Sequence, residues 1–131
     1  MELGQGQGGC FVKAPEVTYR LTVEQDDTPV RGNALASGDD AEDKQCEDEI
    51  LARLDRGDVW AWALVKVIAE CGSFYGADYL GGCCYKDEKD FIACNDYYES
   101  MKSEALLNLK QSMKAAVQRG AEAAKLLKRL K

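Results

Sequence analysis

Seven carboxylates crowd the eleven residues from Asp39 to Glu49: Asp39, Asp40, Glu42, Asp43, Glu47, Asp48 and Glu49, with Lys44 the one base among them. Carboxylates so placed have three chemical uses. They can hold a hard cation such as Mg²⁺ through oxygen alone. They can work in pairs as acid and base. They can also fill the phosphate-binding Lys and Arg sites of a basic protein, using the electrostatics that bind DNA. Adjacent pairs such as Asp26-Asp27 and Asp39-Asp40 ordinarily serve as solvated turns and caps. The carboxylates are too many and too scattered to mark out a catalytic site. The run reads first as a solvated helix face whose first turn suits the helix dipole, and more sharply as a surface for a basic protein, with Asp40, Asp43, Glu47 and Asp48 as partner-binding residues.

The chain contains no histidine, which removes the commonest general base and metal ligand and any nucleophile–His pair. The six cysteines, Cys10, Cys46, Cys71, Cys83, Cys84 and Cys94, include no CxxC pair. Cys83 and Cys84 are adjacent, so in a strand they point to opposite faces and are poorly placed to share a metal. The thiols are expected to be reduced and to act as small apolar residues, with no metal and no cofactor. Gly4-Gln5-Gly6-Gln7-Gly8-Gly9 has no preceding strand and no following Lys-Ser/Thr, so it is not a phosphate loop.

Charge is divided along the chain. Up to Glu99 nine Lys/Arg face twenty-one Asp/Glu, a net of −12; from Ser100 to Lys131 eight face two, a net of +6. Two unlike surfaces are expected. The basic C-terminal segment has no aromatic residue after Tyr98, so stacking on single strands is not available there, and the acidity of the remainder opposes a polyanion. Direct nucleic-acid binding is therefore not expected. No apolar run approaches the roughly 20 residues of a membrane span. Met1–Gly9 lacks the basic region and apolar core of a secretory signal. Residues 1–14 read as a flexible arm, 15–131 as a single domain, and the protein as cytoplasmic.

The elements that must position these residues follow from periodicity. Glu16–Glu24 alternates, with Val17, Tyr19, Leu21 and Val23 on one face, as in a strand with one wet side. Asp39 caps a helix running to about Arg56, ended by Gly57, with Cys46, Ile50, Leu51 and Leu54 as its apolar stripe. Asp58–Cys71 reads as the longest strand. That places Trp60 and Trp62 together with Leu64 on one face, either covered by a helix, as large aromatics usually are, or partly exposed as a candidate binding hot spot. Gly72–Ala77 reads as a turn and Tyr79–Tyr85 as the returning strand, with Gly81-Gly82 marking a bulge or close backbone contact. Asp87 caps a short helical turn and Asp96 a long final helix.

That final helix carries Leu106, Leu109, Met113, Ala116, Gly120, Ala123, Leu127 and Leu130 at alternating spacings of three and four, the pattern of a helix–helix seam. Ser100–Lys131 would span about 48 Å as one rod, against about 30 Å for a domain of this size. It must break, at Gly120, or project. Leu127 and Leu130 then need a fold-back or a second chain, and a homodimer is expected. The whole reads as α+β: an antiparallel sheet of about three strands covered by helices, with a long C-terminal helix.

Three stretches carry a resemblance. Asp26-Asp27-Thr28-Pro29-Val30-Arg31-Gly32-Asn33, Gly57-Asp58-Val59-Trp60-Ala61-Trp62-Ala63 and Leu80-Gly81-Gly82-Cys83-Cys84-Tyr85, joined by Asp90-Phe91 and Tyr97-Tyr98-Glu99-Ser100-Met101, make roughly residues 16–112 similar to a family of small uncharacterised proteins of bacteriophages, prophages and plasmids. The resemblance supplies no catalytic residues. It implies a role among accessory phage proteins, with an anti-CRISPR or other anti-defence inhibitor as the sharpest form. The leading expectation is thus a non-enzymatic protein that binds a host protein, a nucleic-acid-binding defence component in particular. A structural or regulatory homodimer is the second expectation, and a carboxylate- and Mg²⁺-dependent enzyme the third.

Overall fold

The computed structural model describes residues 16–94 and 96–130; the expected N-terminal arm lies outside them. The order is strand β1 (Thr18–Gln25), helix α1 (Asp40–Asp55), a 3₁₀ turn (Val59–Ala61), strands β2 (Ala63–Cys71) and β3 (Phe74–Cys83), then helices α2 (Glu88–Cys94) and α3 (Tyr97–Arg129). The strands form one antiparallel sheet in the order β1-β2-β3, and the fold is α+β.

Register follows from which side chains need burial. Tyr19, Leu21 and Val23 stand opposite Ala69, Val67 and Val65, so one apolar face runs across both strands. On that face Ala63, Val65, Val67 and Ala69 are fully buried, together with Phe91 and with Met101, Ala105 and Leu109 of α3. The small residues of β2 and Gly76 of β3 let α3 lie close. A Cβ on Gly76 would sit 2.6 Å from the carbonyl carbon of Asn108, and the Asn108 side chain donates to the Ala77 carbonyl at 2.9 Å. A second apolar cluster joins Val30, Ile50, Ala61 and Trp62, with Cys46, Leu51 and Leu54 of α1 against it. The apolar stripe expected on α1 is the one it buries.

The strand expected over Asp58–Cys71 begins only at Ala63. Hydrogen bonds from Ala61 N to the Asp58 carbonyl and from Trp62 N to the Val59 carbonyl close a turn instead. The physical reason is that the two tryptophans serve different clusters. Trp60 packs on Phe91, ring centroids 5.7 Å apart, beside the sheet core. Trp62 enters the cluster under α1. A continued strand would put both on one side. The returning strand starts five residues earlier than expected. Phe74 pairs with Cys71 across a two-residue turn, Gly72-Ser73, which Gly72 makes possible at φ 59°. At its far end β3 carries one extra residue between its pairings with Ala63 and Val65, the bulge anticipated from Gly81-Gly82, with Gly82 at φ 63°.

α3 begins with Tyr97 beside Leu80–Tyr85, passes Gly76 at Ala105–Leu109, and continues beyond the β2–β3 turn. It does not break at Gly120: the helix is continuous to Arg129. Of the two alternatives the chain projects. Every residue from Val117 to Leu130 is exposed. Asp96 precedes the helix but its carboxylate makes no capping bond. Asp39 does cap α1, accepting from the amides of Ala41 and Glu42. Asp87 likewise accepts from the Asp90 amide at 2.9 Å.

Candidate interaction surfaces

The acidic row of α1 is only partly a surface. Glu47 is buried, with 8% of its area exposed. It accepts from the amide of Gly32 at 2.8 Å and from Arg31 Nη1 at 3.1 Å. Asp48 takes Arg31 Nη2 at 2.7 Å and Lys44 at 2.9 Å. Asp43 accepts from both the amide and the hydroxyl of Ser37, at 3.0 and 2.7 Å. The Gly32 amide and then Arg31 hold the Glu47 carboxyl below the ordinary carboxylate range, and Lys44 and then Arg31 do the same for Asp48. Three of the four acids expected to face a partner therefore tie the loop before α1 to the helix. The correction has a simple cause. Arg31 is the only base between Arg20 and Lys44, and the loop brings it against α1. Asp40 remains exposed, as do Glu42 and Glu49, and none of the three makes an ion pair among the described residues.

The motif stretches converge. Asp26 accepts from the Thr28 amide at 2.8 Å and the Gly82 amide at 2.7 Å, while its own amide donates to the Trp62 carbonyl at 3.0 Å. Those two amides, offset by partial burial, hold its carboxyl below the ordinary range. The Trp62 indole donates to the Thr28 carbonyl at 2.7 Å. Arg53 bridges Asp58 at 2.8 Å and the Tyr85 carbonyl at 2.6 Å, and the Tyr85 amide donates to the Trp60 carbonyl at 2.9 Å. Residues distant in sequence thus form one knot that clamps the loop after β1, the turn before β2 and the exit of β3. Its polar atoms satisfy one another, which is structural chemistry rather than a poised reaction centre.

Trp62 is 5% exposed and Trp60 half-buried, on different sides. They do not form the shared patch expected of a hot spot, and Trp62 is unavailable to a partner. Cys46, Cys71, Cys83, Cys84 and Cys94 are free; Cys10 lies outside the described residues. Burial pushes the Cys83 thiol up to about 11, and the Asp90 carboxylate raises that of Cys94, which disfavours both as nucleophiles near neutral pH. Among the described residues no three acidic or sulfur side chains converge as a metal site, and no helix is long and apolar enough to cross a membrane.

Two further surfaces stand beside the exposed acids of α1. The open face of the sheet presents Arg20, Lys66, Tyr75 and Tyr79. Lys66 Nζ stands 5.3 Å from the Tyr79 ring centre, beside a cavity of about 370 Å³ bounded also by Thr22, Glu24 and Leu64. The second is the outer half of α3. Val117, Leu127 and Leu130 are 72%, 70% and 77% exposed, and Leu126 is exposed beside them. Exposed apolar residues scattered singly need no explanation, but several along one element mark a contact surface. The sequence signalled this surface through the seam spacing. The signal for the Arg31–Glu47 pair was weaker, the one base of an acidic segment.

α1 sits at the end of the sheet where β2 begins and β3 finishes, through Trp62 and the Arg53–Tyr85 bond. The outer half of α3 leaves from the other end. Acidic and basic surfaces therefore lie at opposite ends of the molecule. No family model matches the chain, and neither the curated proteins nor the solved structures contain a match to it.

Proposed function

We propose that the chain is a non-enzymatic binding protein of a phage or other mobile element, acting in the bacterial cytoplasm on a host protein with a basic, nucleic-acid-handling surface. The observation that carries this reading is the acidic end: Asp40, Glu42 and Glu49 stand exposed, without an ion pair among the described residues, on a helix fixed by its own buried contacts. Such carboxylates can occupy phosphate sites on a basic groove. The rigid underlying knot supports the same reading, because a preorganised surface loses little freedom on binding. The raised thiols and the mutually satisfied polar groups of the knot support binding over catalysis. In its sharpest form the target is a defence complex such as CRISPR–Cas.

The test is affinity capture from bacterial lysate with the full chain and with a variant carrying Asp40→Lys, Glu42→Lys and Glu49→Lys. The reading requires one stoichiometric host protein that binds nucleic acid, captured by the first and lost by the second. Glu47 and Asp48 are left intact, since their reversal would release the loop rather than probe a surface. Capture that is indifferent to the reversal would sink the proposal.

A further inference from the structure

We infer that the outer half of α3 pairs antiparallel, about a two-fold axis, with the same segment of a second copy of this chain. The inference does not rest on the host-partner reading, which uses the opposite end of the molecule.

The face of α3 that packs on the sheet through Met101, Ala105 and Leu109 continues without a turn of phase. It runs on through Met113, Ala116, Gly120, Ala123, Leu127 and Leu130. Its inner part is covered by the home sheet; its outer part is covered by nothing among the described residues. From Met113 the spacing runs three, four, three, four, three. That order reads the same in both directions, so one antiparallel register sets every seam residue against another. Gly120 faces the partner's Ala123, Ala116 faces the partner's Leu127, and Met113 faces the partner's Leu130. Large side chains thereby meet small ones, or the half-buried Met113 at the edge of the sheet core. Gly120 and Ala123 at the centre let the backbones approach closely.

The flanks agree. Val117 and Leu126 line the two sides of the seam. Arg119 lies at the border of the seam, and Glu122 points away from it. Lys125, Lys128 and Arg129 point away from the seam into solvent. A parallel pair is excluded by shape. The face turned to the partner at 116–130 is turned to the home sheet at 101–109, so two parallel rods would drive both sheets into one volume. The antiparallel arrangement instead places each outer rod beyond the other's sheet. A short seam with Ala116, Gly120 and Ala123 at its middle buries little side-chain area, so a reversible dimer at micromolar concentrations is expected.

The experiment is sedimentation equilibrium of the full chain across micromolar concentrations, beside three variants. Wild type should show a monomer–dimer equilibrium. Leu127→Lys should be monomeric throughout with an unchanged far-ultraviolet circular dichroism spectrum. Gly120→Leu, which would hold the two backbones apart at the centre of the seam and whose added Cβ meets nothing in its own chain within 4 Å, should dimerise more weakly than wild type, whereas Lys125→Ala on the opposite face should dimerise as wild type does. Wild type that stays monomeric would overturn the inference. So would a dimer that survives Leu127→Lys, or one as tight with Gly120→Leu as without it. Monomeric wild type that binds anionic vesicles through Leu127 would assign the same face to a membrane surface and also overturn it.

Discussion

The Glu47 carboxylate accepts the Gly32 amide at 2.8 Å from within a 16-residue helix, and this one bond turns an acidic run into a structural clasp. Arg31, beside Gly32, completes it by spanning Glu47 and Asp48. The loop from Pro29 to Gly38 is thereby fixed over the cluster that holds Val30 and Ile50.

The clasp predicts unequal acids. Glu47→Ala should lower the midpoint of thermal unfolding by several degrees, because it removes the acceptor shared by the Gly32 amide and Arg31 and leaves a gap at a buried position. Asp40→Ala, in the same helix, should leave it unchanged within error. Thermal unfolding followed by circular dichroism at neutral pH checks both.

The pH dependence has a definite sign. Asp26, Glu47, Asp48, Asp58 and Asp90 are all held below their ordinary values, chiefly by hydrogen bonds to their charged forms. Their unfolded-state pKa values are therefore the higher ones. The stability they supply is fully present above the ordinary carboxylate range and is lost as pH falls through the lower folded values. Urea midpoints should be flat from neutral down to about pH 5 and then fall. Glu47→Gln should reduce the steepness of that fall.

Gly76 predicts a steric outcome. Its added Cβ would press on the backbone of α3 at Ala105, Asn108 and Leu109, which cannot swing aside as a side chain could. Gly76→Ala should cost about 3 kcal/mol in urea denaturation, at the upper end of overpacking effects.

The tryptophans should be separable by fluorescence. In Trp60→Phe the remaining Trp62 should emit at short wavelength and resist acrylamide, since it is 5% exposed and its indole is bonded to the Thr28 carbonyl. Trp62→Phe should leave a half-buried, more quenchable emitter. It should also cost about 0.5–1.5 kcal/mol beyond any packing loss, the net worth of the lost indole–carbonyl bond. Equal quenching in the two variants would contradict the separation of the two clusters.

Much of this was legible in the chain. Alternation at Tyr19, Leu21 and Val23 and the run Ala63, Val65, Val67 and Ala69 set two strands and their buried face, because a period of two has one meaning for a sheet with one wet side. Asp39 and Gly57 bounded α1 for reasons local to the backbone. The three-four seam fixed a long final helix. These features depend on neighbours within a few residues, and such signals survive in sequence.

What tertiary contact settled was the partner of each side chain. Trp60 and Trp62 alternate as a strand would, yet a 3₁₀ turn divides them, because two separate clusters each bury one large ring. Glu47 reads as one more solvated acid until Arg31 and Gly32 arrive from a loop fifteen residues away. Gly120 reads as a break, but an exposed glycine costs a helix only about 1 kcal/mol, which the continuous bonding of a 33-residue helix outweighs. Composition and period determined the elements and their wet and dry faces. The choice among polar partners was decided by long-range approach, which no local pattern encodes.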